Sequence, residues 1–599
     1  VDKKNLFFGS LLLVAAIATL ILSQRYAQQN PSPAAVRHEV ARQESVAAVE
    51  AAPGHVIEPD TGRAAFVTTH DERAGAEIVT LENAFIQVRF TNYGGAIRDV
   101  AFRKYPAALG RPDPFIFNEL HADPILALAG VPGLDRATRF ALVAKTATEV
   151  TYRAVLDGHL EVTRRYVLSP DAGSTTDPYR LRVETQFRNL GDKPTPALRI
   201  ALALGTAAPA SPLDLGIDLT TGVSNGNSQT FIRRASLESG NGLLGIGASD
   251  AKALIATPGP VVWGTVKDKF FASILTPDQP AAALVTRRVK LLGALPDEDR
   301  KAYGITGAVE FDLPTLAARG ETTLNGQLYV GPKEYHRLSN ADVFKRDEDR
   351  IMDYGWFRLP AAILLTLMTW MHAWTFNWGV AIILTTLSLK FAFLPLTLSA
   401  SRSAKRMQKI QPELKALREK FKDNPQKQQT ATMELFKKNK VNPMGGCIPV
   451  LITIPFFFGF YRMLASAAEL RFAPFLWAHN LSAPDTVASL GHDTLPLIGT
   501  LNINILPIVL CATVFAQMRL TPQPTVDNAQ ARMMKFMPIL FMVFCYNYSC
   551  ALSLYSTVNG LFTIGQQLVI NRMKDEPIAV AAAPIAGKPT KNVTPKRKG

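Results

Sequence analysis

Cysteine is scarce. The 599 residues carry four, Cys447, Cys511, Cys545 and Cys550, all in the apolar C-terminal third. Their spacing fits no zinc or haem-attachment pattern. The long stretch before residue 350 has none, so any core formed there holds without disulfides, which suits either side of a membrane. Catalytic signatures are missing as well: no HExxH, GxSxG or P-loop occurs, and no metal site is indicated. Gly245-Ile246-Gly247 begins a glycine-rich pattern, but Asp250 stands where the third glycine belongs, so the dinucleotide signal is weak. His121, His159 and His336 are scattered and read as structural residues. The case for an enzyme is thin.

Acidic residues are outnumbered, with 65 Lys and Arg against 50 Asp and Glu, a formal charge of +15. Such a balance can point to nucleic acid, but its distribution points elsewhere. Segment 399–441 carries 12 basic against 4 acidic residues, a net +8, and segment 571–599 carries 7 against 2, a net +5. Both flank long apolar runs, as the positive-inside rule predicts for cytoplasmic loops. The basicity is topological first.

A chain of this length folds as at least two units. Lys3-Lys4 precede Leu6–Leu22, about seventeen mostly apolar residues ending without a clear small-x-small cleavage site. The run is longer than a signal-peptide core and reads as an uncleaved membrane anchor (1–26) with a cytoplasmic N-terminus. Residues 27–59, rich in Ala, Pro, Gln and Glu, read as a flexible tether. From 60 to 350 the character is soluble and β-rich. In Phe85–Thr91, Ile86, Val88 and Phe90 point one way and Gln87, Arg89 and Thr91 the other; Tyr179–Phe187 repeats the pattern through Leu181 and Val183. Period-2 segments broken by Asn, Gly, Pro and Asp predict a large antiparallel sandwich, which the anchor places in the periplasm.

The last third reads as membrane (376–573), with spans at Gly379–Leu398, Cys447–Leu464, Leu495–Gln517, Phe536–Tyr548 and Leu552–Ile570, six in all with the anchor. Trp356–Trp374 is also apolar but is interrupted by Arg358, Pro360 and His372. Counting it as a span would put the +8 loop outside, so 351–375 is predicted to hold an interfacial amphipathic helix at the periplasmic surface, with Trp356, Trp370 and Trp374 at headgroup level. The loop at 399–441 reads as a cytoplasmic helical hairpin, Ser399–Phe421 and Gln426–Lys438. Arg402, Lys405, Arg406 and Lys409 stud its first turns, and Met407, Ile410, Leu414 and Leu417 lie on one side. A solvated charged face is the ordinary reading of such a hairpin; an apolar face touching lipid or a client helix is the functional one. The basic tail, 574–599, reads as a lipid- or ribosomal-RNA-binding segment or as a bare solubilising end.

Lys390 lies about nine residues before the cytoplasmic end of its span, where a lysine costs roughly 2.5–3.5 kcal/mol. Two readings compete: a stem that snorkels to the headgroups, and a charge facing a wet cavity. Polar stripes favour the second. Thr386 and Thr397 share the helix of Lys390; Ser553, Ser556, Gly560, Thr563 and Gln567 recur at steps of three and four; Thr513 and Gln517 sit one turn apart. Singly, such residues serve as packing glue between membrane helices; together with a lysine they describe a hydrated groove.

Several strings resemble the YidC family of membrane insertases, relatives of the mitochondrial Oxa-type and chloroplast Alb-type proteins. They are Val441–Leu464 (VNPMGGCIPVLITIPFFFGFYRML), Asp353-Tyr354-Gly355-Trp356, Asn377-Trp378-Gly379, Glu469–Phe475 (ELRFAPF), Lys535-Phe536-Met537-Pro538 and Gln566-Gln567, with a looser likeness over 60–350 through Val330-Gly331-Pro332. The resemblance implies a five-span insertase core behind an anchor span, and a periplasmic β-supersandwich of the sugar-mutarotase type without that activity. It implies a groove open to cytoplasm and lipid with one cation in it, and no cofactor. The implied partners are nascent integral membrane proteins, the Sec translocon and its accessory subunits, the ribosome, and the bilayer of the bacterial inner membrane, with both termini cytoplasmic. Lys390 stands where the family commonly has arginine, which keeps the charge and loses the planar fork. Gln517 and Tyr555 fall near family groove positions, and Ser556 replaces a frequent second tyrosine. Two rival classes remain. A solute transporter calls for paired intramembrane charges or two matching halves, and an anchored carbohydrate-active enzyme calls for a carboxylate–histidine site in the sandwich.

Overall fold

The computed structural model describes residues 75–120, 123–135, 138–170, 176–210, 214, 216–239, 250–291, 300–422, 424–439, 448–495, 499–520 and 545–572; within these the side chains of 401–405, 408, 418, 448–453, 489–495 and 499–501 are not described. The anchor, tether and basic tail, His121, Gly245–Gly247, Cys447 and nearly all of the span read at Phe536–Tyr548 lie outside the described residues. The chain divides into two compact units. The first comprises Val1–Ala381, Phe458–Ile505 and Tyr546–Leu552, and the second Ile382–Phe457, Leu506–Cys545 and Ser553–Gly599.

Antiparallel sheets dominate the first unit. A nine-stranded sheet runs Gln229–Arg233, Thr220–Ser224, Trp263–Lys267, Phe271–Pro277, Glu321–Pro332, Arg180–Asn189, Leu160–Leu168, Glu149–Leu156, Ala141–Lys145. A five-stranded sheet runs Leu254–Val261, Ala281–Lys290, Tyr303–Leu313, Leu198–Ala207, Leu128–Ala129. A third, of four strands, holds Ile78–Glu82, Ile86–Thr91, Ala96–Pro106 and Pro114–Phe117. The two large sheets face each other closely enough that glycine is needed: a Cβ on Gly264 would stand 2.8 Å from Val309 Cγ2. Thr221 and Thr286 share a buried 2.6 Å hydroxyl contact between the same sheets. This is the all-β sandwich that the alternating segments predict.

The alternation holds residue by residue, with one exception. Ile86, Val88 and Phe90 are fully buried, and Leu181, Val183 and Phe187 line the core. Thr91, predicted to face away with Gln87 and Arg89, is buried instead. The ladder beside it is irregular, with Arg98 of the neighbouring strand the extra residue between the pairs Arg89–Asp99 and Phe90–Ile97. Aromatic side chains fill one end of the core: Phe271 stacks on Phe115 at 4.4 Å between centroids and lies 4.8 Å from Phe102.

Among the described residues seven helices of ten residues or more follow. They are α1 (Arg358–Thr375), α2 (Trp378–Lys409), α3 (Gln411–Lys420), α4 (Pro425–Lys438), α5 (Ile448–Ser466), α6 (Ile505–Leu520) and α7 (Cys550–Arg572). Helix α1 is the interfacial segment of the sequence reading, two residues later in start. Pro360 sits in its first turn, where its missing N–H costs nothing, and Arg358 bonds Asp349 at 2.8 Å. Trp356, Trp370 and Trp374 are all exposed. Phe376 closes α1 in the left-handed conformation, and Asn377 caps α2 by accepting from the Val380 amide at 3.1 Å.

Three boundaries differ from the sequence reading. Helix α2 carries the predicted span Gly379–Leu398 and runs on to Lys409, so the hairpin helix read at Ser399–Phe421 is divided at Ile410, ahead of Pro412, which has no N–H to extend the ladder. The second hairpin helix starts at Pro425, capped by Asn424 accepting from Lys427 N, rather than at Gln426. The span read from Leu495 begins only at Ile505, because Thr486–Leu495 and Gly499–Asn504 form a β-hairpin. Asn504 secures that hairpin, accepting from Thr486 Oγ1 at 2.7 Å and donating to Tyr546 O at 2.8 Å. Among the described residues Trp378–Ala400 is long and apolar enough to cross a membrane, with a mean hydropathy of 1.8.

Candidate functional site

The second unit contains the predicted polar residues. Lys390 emerges half-buried from the middle of α2, and its Nζ donates to Thr563 Oγ1 on α7 at 3.0 Å. Thr563 donates its own proton to Asn559 O at 2.7 Å, so its lone pairs face the ammonium. The ring of Phe562 lies 5.9 Å from Nζ and meets Phe391 edge-on at 5.3 Å. Farther along the same two helices Gln566 Nε2 donates to Thr397 Oγ1 at 3.0 Å. A cation and two cross-helix hydrogen bonds thus occupy one strip between α2 and α7.

Other members of the predicted set have different surroundings. Thr386 is buried and returns its hydroxyl to Ile382 O, as Thr397 does to Phe393 O and Leu394 O. Thr513 is buried on α6 and donates to Leu510 O; a Cβ on Gly560 of α7 would stand 3.1 Å from its Oγ1, so the glycine admits close helix packing. Gln517 and Ser556 are half-buried. Ser553 is buried, and its Oγ has no partner among the described residues. Two residues leave the strip. Gln567 turns along its own helix to Asn571 at 3.0 Å, and Tyr555 is buried with its ring 6.1 Å from Phe457. Gln566, not Gln567, makes the cross-helix bond, although the step of four from Thr563 favours Gln567. The signal for Gln566 was the adjacent step of three. Thr385 and Thr557 were not singled out from the sequence and are buried hydroxyls without partners among the described residues.

In the hairpin, Ile410 and Leu414 are buried and Met407 and Leu417 half-buried, so the apolar side packs. Lys409 is exposed and Arg406 half-buried; the side chains of Arg402 and Lys405 lie outside the described residues. No group of three metal-ligating side chains occurs among the described residues. His159 Nδ1 lies 2.8 Å from Asp157 O, a local backbone contact. Cys511, Cys545 and Cys550 are free and buried.

A unit of apolar helices with a lysine set in a polar strip, in a chain that also carries a large β-sandwich unit, defines the class as a membrane protein with a large extramembrane β domain. The family model of the 60Kd inner membrane protein matches residues 370–577, and that of the YidC periplasmic domain matches residues 78–370. The membrane protein insertase YidC of Paraburkholderia phymatum is 30% identical over 515 residues, covering 83% of this chain and 84% of the relative. A crystal structure titled as an active YidC insertase aligns over 84% of this chain and 94% of its own, at 15% identity and a TM-score of 0.31. A galactose mutarotase-like protein from Lactobacillus casei aligns over 42% of this chain and all of its own, at 15% identity and a TM-score of 0.28. The chain belongs to the YidC family of membrane protein insertases. Its function is the insertion of membrane proteins, and it is not an enzyme.

Proposed function

We propose that insertion runs through the strip between α2 and α7, with Lys390 receiving the hydrophilic, often acidic, tail of a client while its apolar segment slides into lipid. The observation that supports this is the Lys390–Thr563 bond, which ties the one lysine of the apolar stretch of α2 to a facing helix. A snorkelling lysine follows its own helix to the headgroups; this one is engaged across the bundle. Partitioning of roughly twenty apolar residues supplies the driving force, and the polar strip shortens the path over which the tail is stripped of water. The basic segments at 399–441 and 571–599 favour a cytoplasmic hairpin and C-terminus, and hence a periplasmic sandwich. In that orientation the exposed Trp356, Trp370 and Trp374 of α1 and the turn before it meet the outer headgroups. The Sec translocon and the ribosome are the partners this arrangement would serve. The groove residues we assign are Lys390, Thr386, Thr397, Thr513, Gln517, Ser553 and Ser556; Tyr555 and Gln567 are peripheral to it.

The test is complementation of a strain depleted of its own insertase, following protease accessibility of a single-span client with an acidic periplasmic tail. Wild type and Lys390→Arg are expected to insert it, and Lys390→Ala and Lys390→Glu to fail at equal abundance. Insertion by the Ala and Glu variants at the wild-type level would remove Lys390 from the mechanism.

A further inference from the structure

We propose that Thr563 is the positioning residue of the groove: its hydroxyl holds the Lys390 ammonium at a fixed depth, while Gln566 and Thr397 clamp the two helices beyond it. This rests on the reading of Lys390 as the groove cation. A threonine hydroxyl has one proton and two lone pairs. The proton of Thr563 is used on Asn559 O, so toward α2 the residue is an acceptor only, the polarity an ammonium needs. Thr397 is built the same way from the other side. Its proton goes to the carbonyls of Phe393 and Leu394, and it accepts from Gln566. Each helix therefore presents one acceptor-only threonine to a donor of its neighbour.

The spacing sets the depth. From Lys390 to Thr397 is seven residues, roughly 10 Å of helix, whereas from Thr563 to Gln566 is three, roughly 4.5 Å. The two contacts therefore lie at different levels of the strip, with the Lys390 ammonium drawn across to α7 about one turn of that helix before the Gln566–Thr397 contact. Thr563 Oγ1 is its hydrogen-bond partner among the described residues, and the Phe562 ring lies beside it. Of the three ammonium donors, two remain for a carboxylate. Without Thr563 the four-carbon stem loses its hydrogen-bond acceptor among the described residues, and the charge disperses over its rotamers.

The experiment is a double-mutant cycle on the full-length chain, scored by insertion of two single-span clients that differ only in an acidic or a neutral tail. Thr563→Val keeps the shape and removes the acceptor; it is expected to slow insertion of the acidic-tailed client about tenfold, the scale of one hydrogen bond to a charged group. The neutral-tailed client is expected to be unaffected, and Thr563→Ser to restore wild-type rates. In a Lys390→Ala background Thr563→Val is expected to add nothing, because there is no ammonium left to place. Equal losses for both clients, failure of Ser to rescue, or full additivity with Lys390→Ala would each show Thr563 to be packing alone. If Lys390→Ala itself inserts the acidic client normally, it is the groove reading that fails.

Discussion

Arg471 offers the sharpest test of how the first unit is held together. It follows the short 3-10 turn Ala468–Leu470 beyond α5, and it is 8% exposed. Its guanidinium donates to Pro106 O and, at 2.9 Å, to Ala107 O, at the end of the strand Ala96–Pro106. The same group lies 4.4 Å from the Phe472 ring and 5.1 Å from that of Phe115. A hydrogen bond from a charged donor contributes ~1.5–3 kcal/mol, and a desolvated cation–π contact up to ~2 kcal/mol. Rehydration of the freed segment offsets part of this, leaving roughly 3 kcal/mol for Arg471→Ala. Arg471→Lys keeps the charge but reaches one carbonyl rather than two, so about half the loss is expected. The assay is thermal unfolding of the purified chain in detergent, with hydrogen exchange at residues 106–112 and 471–477 to localise the effect. Protection should fall in both segments together. An Ala variant within about 0.5 kcal/mol of wild type, or exchange rising in only one segment, would show that the cage contributes nothing to docking.

Glu469, in the turn beside it, has a buried carboxyl oxygen without a hydrogen-bond partner among the described residues. Burial first, and then the charge of Glu334, push its pKa up to about 8. The folded chain therefore holds a proton that the unfolded chain releases near the ordinary carboxylate range. That stability is complete at low pH and is lost as pH rises through about 8. Glu469→Gln, neutral at every pH, should flatten the fall in melting temperature between about pH 5 and 8, and an unchanged slope would refute the assignment. Gly379, in the first turn of α2, faces Phe475 so closely that an added Cβ would stand 2.1 Å from its ring. Gly379→Ala is expected to cost at least 2 kcal/mol by overpacking, with Phe475→Leu recovering much of it; two destabilising changes that simply add would contradict the contact.

Much of the fold was legible because its periods are clean. Ile86, Val88 and Phe90 announce a half-buried strand, and the tryptophans of α1 announce a helix with a face that no core covers. Residues 495–504 were misread because a hydropathy window sums apolar content and ignores its period. Leu501 and Ile503 alternate with Asn502 and Asn504, a strand pattern, and Gly499 opens the returning strand. The division within Ser399–Phe421 is less legible: the change from apolar to basic at Ser399 alters what surrounds the helix, not whether it stays helical, and Pro412 carries the stop. Lys390 stood out as a charge in an apolar run. Three polar stripes stand beside it in the sequence, and choosing Thr563 among them requires the rotation of one helix against another. Arg471 could not be found at all, since its partners are backbone carbonyls more than 360 residues away.

The unbroken run of α2 also makes it a mechanical part. At 32 residues it is roughly 48 Å long against a hydrocarbon thickness of about 30 Å, so one rigid rod carries both the groove lysine and the basic end of the hairpin. Its weak joint is Pro395, which leaves the carbonyl of Phe391, the residue after Lys390, without its helical donor. Lys409 lies fourteen residues past that joint, about 21 Å, so a bend of 10° there swings the arm by roughly 4 Å. A load on the basic arm is thereby delivered as torque at the carbonyl one residue from Lys390.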